Sequence, residues 1–129
     1  MAHLEGVLRL CDAEGWPSLP ADPGRAGRVL TAPGVTTVVA TEDDVVVGFA
    51  QLCGDGEIQA FLASLVVDRD QRQTGIGREL VIEGLRLAGG ERIDLLSEEA
   101  ATGFYESFPH FQKPGYRLYP FHRDDETGG

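Results

Sequence analysis

The stretch from Leu65 to Leu80 constrains this chain more than any other. Leu65-Val66-Val67 reads as the end of a buried strand, Asp68 to Thr74 as a polar loop, and Gly75-Ile76-Gly77-Arg78 as the opening of a helix. Glycines at such a turn let the backbone bend tightly and bring N–H groups close to a ligand with no Cβ in the way. A helix N-terminus adds about half a positive charge and unpaired donors, so an anion suits it and phosphate is the natural guest. Arg69, Arg72 and Arg78 set fixed cations around the same turn. The local chemistry fits a pyrophosphate.

Two common phosphate motifs do not describe it. No Lys-Ser or Lys-Thr follows the second glycine, so it is not a P-loop, and Leu80 stands where a dinucleotide fingerprint needs its third glycine. The pattern that remains is Arg72-x-x-Gly75-x-Gly77, behind a hydrophobic strand and opening a helix.

With 129 residues, the chain suits one domain with a single core. We expect that domain to span residues 1–123, followed by a disordered acidic tail over 124–129. No apolar run approaches the ~20 residues that span a membrane, and no basic-then-apolar leader opens the chain. Cys11 and Cys53 lack metal-ligand spacing and read as reduced thiols, which suits a cytoplasmic protein. A net charge of −10 repels DNA and RNA, so neither nucleic acid nor membrane is an expected partner. Most basic residues lie after Leu65 and the first half is acidic. That asymmetry fits an anion on one side and a cationic partner on the other.

Periodicity and punctuation order the elements. Leu4, Val7, Leu8 and Cys11 fall at helical spacing, ended by Gly15-Trp16-Pro17, and Asp22-Pro23 opens a second helix to about Thr31. Thr36–Ala40 and Val45–Cys53 form a hairpin around Glu42-Asp43-Asp44. Glu57–Val67 is a long strand on which Glu57, Gln59 and Phe61 share one face. A helix follows from about Gly75 to Ala88, with Gly77, Leu80, Val81, Gly84, Leu85 and Ala88 facing the sheet. Arg92–Leu96 is the next strand, Glu98 to about Phe108 a helix, and Tyr116–Tyr119 a last strand.

Arg72-x-x-Gly75-x-Gly77 resembles the R/Q-x-x-G-x-G/A signature of the GNAT N-acetyltransferase superfamily. A second segment, Glu98-x-x-Ala101-x-x-Phe104-Tyr105-Glu106, is similar to the pattern that family carries after its fifth strand, and the element order agrees over nearly the whole chain. The resemblance implies an α/β fold, with a central, mostly antiparallel sheet flanked by helices. Three features depart from the pattern. The family's first strand is missing ahead of the first helix, Glu98 replaces a frequent Asn, and Phe108-Pro109-His110-Phe111-Gln112 replaces a Gly-Phe turn. An edge left open by a missing strand invites a second chain, so a homodimer is expected.

The resemblance also implies an acetyl-CoA-dependent N-acetyltransferase acting on the primary amine of a small cationic acceptor. Leu65, Val66 and Val67 would hold the pantetheine arm, and Arg72, Gln73, Thr74, Gly75, Ile76, Gly77 and Arg78 the pyrophosphate. Tyr105 matches the family's general acid. Glu57 is the candidate base, and Trp16 and Gln59 are candidate acceptor contacts; Glu57 reads equally as a solvated residue at the strand start, and plain packing is the more common fate of a lone Trp such as Trp16. No metal site is expected. Two other readings stay open: a non-catalytic acyl-CoA-binding or regulatory module, and a protein acetyltransferase acting on a lysine or an N-terminus.

Overall fold

A computed structural model describes residues 2–121, so the acidic stretch from Asp124 to Gly129 lies outside the described residues. The chain divides after Leu95 into two compact units.

The first unit holds helices α1 (Leu4–Ala13) and α2 (Pro23–Leu30), strands β1 (Val35–Glu42), β2 (Val45–Gly54) and β3 (Gln59–Val67), helix α3 (Ile76–Ala88) and strand β4 (Arg92–Asp94). Asp22 caps α2 by accepting from the Arg25 N–H, with Pro23 at the first helical position. The β1–β2 loop is Asp43-Asp44, both at positive φ, as a two-residue hairpin turn of matching twist requires. Gly89 ends α3 in the left-handed conformation, its N–H donating to the Leu85 carbonyl.

The strands form one sheet in the order β1-β2-β3-β4, antiparallel except for the β3–β4 pair. Helices cover both faces. On one, Val7, Leu10 and Cys11 of α1 and Leu30 of α2 pack with Val46, Phe49 and Val66 of the sheet. On the other, α3 buries Leu80, Val81 and Gly84. A Cβ at Gly84 would stand 2.6 Å from Leu52 Cδ1, so a larger residue there would have to displace the buried Leu52 side chain.

One irregularity in β3 decides what each residue faces. Gln51 pairs with Ser64 but Leu52 with Leu62, leaving Ala63 as the extra residue of a bulge. Before it, Leu62 lies opposite Leu52 on the α3 side; after it, Val66 lies opposite Phe49 on the α1/α2 side. The bulge reverses the alternation within one strand.

The second unit contains a 3-10 turn (Glu99–Ala101) running into a short helix α4 (Thr102–Glu106). The helix expected to reach Phe108 stops early. The Ser107 and Phe108 N–H groups make i→i−3 bonds to Phe104 and Tyr105, and Pro109 disfavours helical geometry in the residue before it. The last strand expected at Tyr116–Tyr119 is absent: these residues adopt no regular structure, and a strand persists only where a neighbour pairs its backbone. The strand expected from Glu57 begins instead at Gln59. Asp55 Oδ1 accepts from the N–H groups of Glu57, Ile58 and Gln59 and curls this segment into a bend. Glu57 therefore does not share a strand face with Gln59 and Phe61.

Candidate functional site

The β3–β4 ladder is short. Gln59, Ala60 and Phe61 pair with Arg92, Ile93 and Asp94, and there the register ends. Past Phe61 the bulge at Ala63 bends β3, and β4 stops. Beyond that pair no described strand lies beside β3, which leaves a notch with Phe61 and Asp94 at its head and the β3 edge at Leu65, Val66 and Val67 along one wall.

Backbone polarity along that wall follows from one bond. The Asp68 N–H donates to the Val47 carbonyl at 2.8 Å, so Asp68, Val66 and Ser64 direct their backbone groups at β2. Leu65 and Val67 direct theirs into the notch. The Val67 carbonyl accepts from Arg72 Nε at 3.1 Å. Extended backbone with outward N–H and C=O groups is what a chain-like ligand with amides pairs with.

At the far end of β3 the chain turns into α3. Gly75 occupies the N-cap position at φ 91°, with no side-chain cap, and the first intrahelical bond runs from the Glu79 N–H to the Gly75 carbonyl. The N–H groups of Ile76, Gly77 and Arg78 belong to the first turn, which has no intrahelical acceptors. A Cβ at Gly75 would meet nothing within 4 Å, so the helix opens onto free space. Gln73 stands at φ 65°, strained for a residue with a side chain, while Thr74 Oγ1 donates to the Gln71 carbonyl at 2.5 Å. Arg72, Gln73, Thr74 and Arg78 are exposed around this turn. The Arg72 guanidinium also pairs with Glu14, which follows α1.

The remaining sequence candidates fall elsewhere. Trp16 is half-buried and packed against the α1/α2 core, its backbone N–H bonded to the Cys11 carbonyl. Glu57 is exposed in the bend at the opposite end of β3 from the Gly75 turn. Gln59 joins a network at the notch head: its Nε2 donates to Asp94 Oδ2 at 2.9 Å and its Oε1 accepts from Arg92 at 3.1 Å. Tyr105 belongs to the second unit, half-buried edge-on to Phe104 with ring centroids 5.0 Å apart. Burial raises its phenol above the usual range, so it holds its proton at neutral pH.

Sequence reasoning missed two residues. Glu14 read only as part of the acidic first half, and Asp94 only as part of a strand. The sole signal for Asp94 was its alternation with Arg92, which becomes informative once β4 is placed beside Gln59. Among the described residues there is no cluster of potential metal ligands, and no helix is long and apolar enough to cross a membrane.

Comparison with known proteins bears on the family and the fold. The model of the acetyltransferase (GNAT) family matches residues 3–109. No curated protein matches the chain. Among solved structures, a GNAT-family acetyltransferase from Streptococcus pneumoniae is 27% identical with a TM-score of 0.72, covering 95% of this chain and 94% of that one. An acetyltransferase from Trypanosoma brucei is 21% identical with a TM-score of 0.71, over 92% and 93%. The aminoglycoside N-acetyltransferase AAC(6')-Iy, solved with a CoA bisubstrate analogue, is 19% identical with a TM-score of 0.75, over 95% and 93%. With its notch beside β3, its glycine-opened α3 and a family match over most of its length, the chain belongs to the GNAT acetyltransferase family, acyltransferases that use acetyl-CoA.

Proposed function

We propose that this chain transfers the acetyl group of acetyl-CoA to a primary amine of a small cationic acceptor. One observation carries the reading: the notch-facing backbone edge of β3 at Leu65 and Val67 is followed, after the 3-10 turn Arg69–Gln71 and the loop to Gly75, by the first turn of α3, which no side chain caps. The spacing of these parts follows the cofactor's own order, a peptide-like arm and then a pyrophosphate. In this reading Leu65, Val66 and Val67 hold the arm. The N–H groups of Ile76, Gly77 and Arg78, framed by Arg72, Gln73, Thr74 and Gly75, hold the pyrophosphate. Acetyl-CoA supplies the activated acyl group.

Tyr105 is the proposed general acid, from its place in the C-terminal motif and its retained proton. Glu57, exposed in the bend ahead of β3, fits a base less well than the sequence suggested. The chain's acidity favours a cationic acceptor, and the aminoglycoside acetyltransferases of the same fold, one of them solved with sisomicin, support a small-molecule amine. Free Cys11 and Cys53 suit a reducing, cytoplasmic setting. The outer edge of β1, unpaired among the described residues, is where a second copy would add in a homodimer.

Calorimetric titration with acetyl-CoA tests the reading, repeated with Gly75→Glu. Micromolar binding that the variant abolishes is expected, followed by thiol release when an amine panel is added. A folded protein that binds no acetyl-CoA would overturn it.

A further inference from the structure

Gln51 is the one buried polar or charged side chain among the described residues, 7% exposed in the middle of β2. Burying an amide costs free energy unless its polar atoms find partners. Gln51 Oε1 accepts from the Ser64 hydroxyl at 3.3 Å, across the ladder in which the two residues stand directly opposite. Thr37, its partner in β1, gives its own hydroxyl hydrogen to the Leu30 carbonyl at 2.7 Å and has none left for Gln51. An amide oxygen only accepts, so the Ser64 hydrogen is committed to Gln51 and the lone pairs of Ser64 Oγ remain as acceptors.

Ser64 stands at a particular point of β3. It shares the α1/α2 face with Val66 and Phe61, since Gln51 alternates with Phe49 on that face and Ala63 is the extra residue of the bulge. Along this face Val66 is buried, Ser64 half-buried and Phe61 38% exposed, so Ser64 lies at the rim of the helical cover. The opposite face packs under α3. In the acetyltransfer reading, the pyrophosphate sits at the opening of α3 and the arm runs back past Val67 and Leu65. The acyl group then comes last, level with Ser64.

We infer that Ser64 Oγ accepts a hydrogen bond from the attacking amine, and that Gln51 holds the hydroxyl in that role. The assignment rests on the acetyltransfer reading above. A neutral amine that gives one N–H to Ser64 Oγ is fixed about that bond, with its lone pair free for the acyl carbon. The C–N bond forms as the C–S bond breaks, and the proton that the nitrogen sheds to water balances the one that the sulfur takes up. The hydroxyl hydrogen is tied to an amide oxygen that holds no proton at neutral pH, so the pair orients the amine and is not its base. Ser64 touches the substrate; Gln51 is a positioning residue that acts through Ser64.

The test reads thiol release from acetyl-CoA with sisomicin and with butylamine, alongside acetyl-CoA titration. It uses wild-type protein, Ser64→Ala, Ser64→Thr, Gln51→Met and the Ser64→Ala, Gln51→Met double variant. Ser64→Ala should lower kcat/KM for the amine about tenfold, by the same factor across the pH profile, with acetyl-CoA affinity within about twofold of wild type. Ser64→Thr keeps the oxygen and should retain most of the rate. Gln51→Met should cost about threefold, and adding it to Ser64→Ala should cost nothing further. A rate indifferent to Ser64→Ala, an acetyl-CoA affinity that falls as far as the rate, or losses that add in the double variant each overturns the assignment while leaving acetyltransfer standing. Wild-type protein that releases no thiol with either amine overturns the acetyltransfer reading, and this assignment with it.

Discussion

The guanidinium of Arg72, in the loop ahead of α3, pairs with the carboxylate of Glu14 at the end of α1. The same guanidinium donates through Nε to the Val67 carbonyl, so one side chain joins β3, the α1–α2 connection and the turn beneath the helix opening. An exposed pair of this kind contributes little to stability, about 0–1 kcal/mol. Its effect falls on ligand binding, since Glu14 competes with phosphate for the same cation. Glu14→Gln should tighten acetyl-CoA binding about threefold with almost no change in Tm, and Arg72→Ala should weaken it about tenfold. Titration of both variants at low and high salt checks this, the difference shrinking as salt rises.

Gly75→Ala separates backbone strain from crowding. At φ 91° an alanine is strained by about 1–2 kcal/mol, yet its methyl meets no neighbour within 4 Å. Thermal unfolding should show that modest loss. A much larger loss in acetyl-CoA affinity than in stability is expected, because the methyl enters the space in front of the first-turn donors.

Gly84→Ala tests the close approach of α3 to the sheet. The added methyl would stand 2.6 Å from Leu52 Cδ1, and Leu52 is fully buried. Helix propensity favours alanine by about 1 kcal/mol, while overpacking a core costs about 1–3 kcal/mol. Overpacking wins. Urea unfolding should show a net loss of about 1–2 kcal/mol, and Leu52→Val in the same background should restore part of it.

Burial pushes the Cys11 thiol up to about 11 from 9.0. The folded state therefore keeps a proton that the unfolded chain releases, and stability falls with rising pH across that window. Below pH 9.0 this group contributes no slope. At 1.36 kcal/mol per unit the decline is on the order of 2 kcal/mol. Urea unfolding under reducing conditions at pH 8 and 10.5 should reveal it, with a shallower fall for Cys11→Ala.

Local chemistry made much of this legible in the sequence. Asp22-Pro23 announced α2 by capping alone, the Asp43-Asp44 turn followed from the runs around it, and Gly75-x-Gly77 marked the opening of α3. What escaped depended on pairing. Nothing about Ala63 itself signals a bulge, since the extra residue exists only relative to Gln51 and Leu52 across the ladder. Glu57 looked like a strand residue because alternation cannot see the Asp55 carboxylate curling the chain. Tyr116–Tyr119 carried strand-like residues without a described backbone to pair with. Asp94 acquired meaning only when β4 set it beside Gln59.

The extra residue at Ala63 makes β3 a shared wall between two hydrophobic layers. Its first half, through Leu62, helps build the layer under α3, and its second half, through Val66, the layer under α1 and α2. Repacking either layer therefore tugs on the same strand, and the notch edge at Leu65 and Val67 lies on the half that moves. Deleting Ala63 alone would keep Leu62 opposite Leu52 and Ser64 opposite Gln51, so both layers stay in place, but it would remove the local bend and added twist that the bulge gives the strand. A change that removes no ligand contact would then be felt as altered grip on the acyl donor.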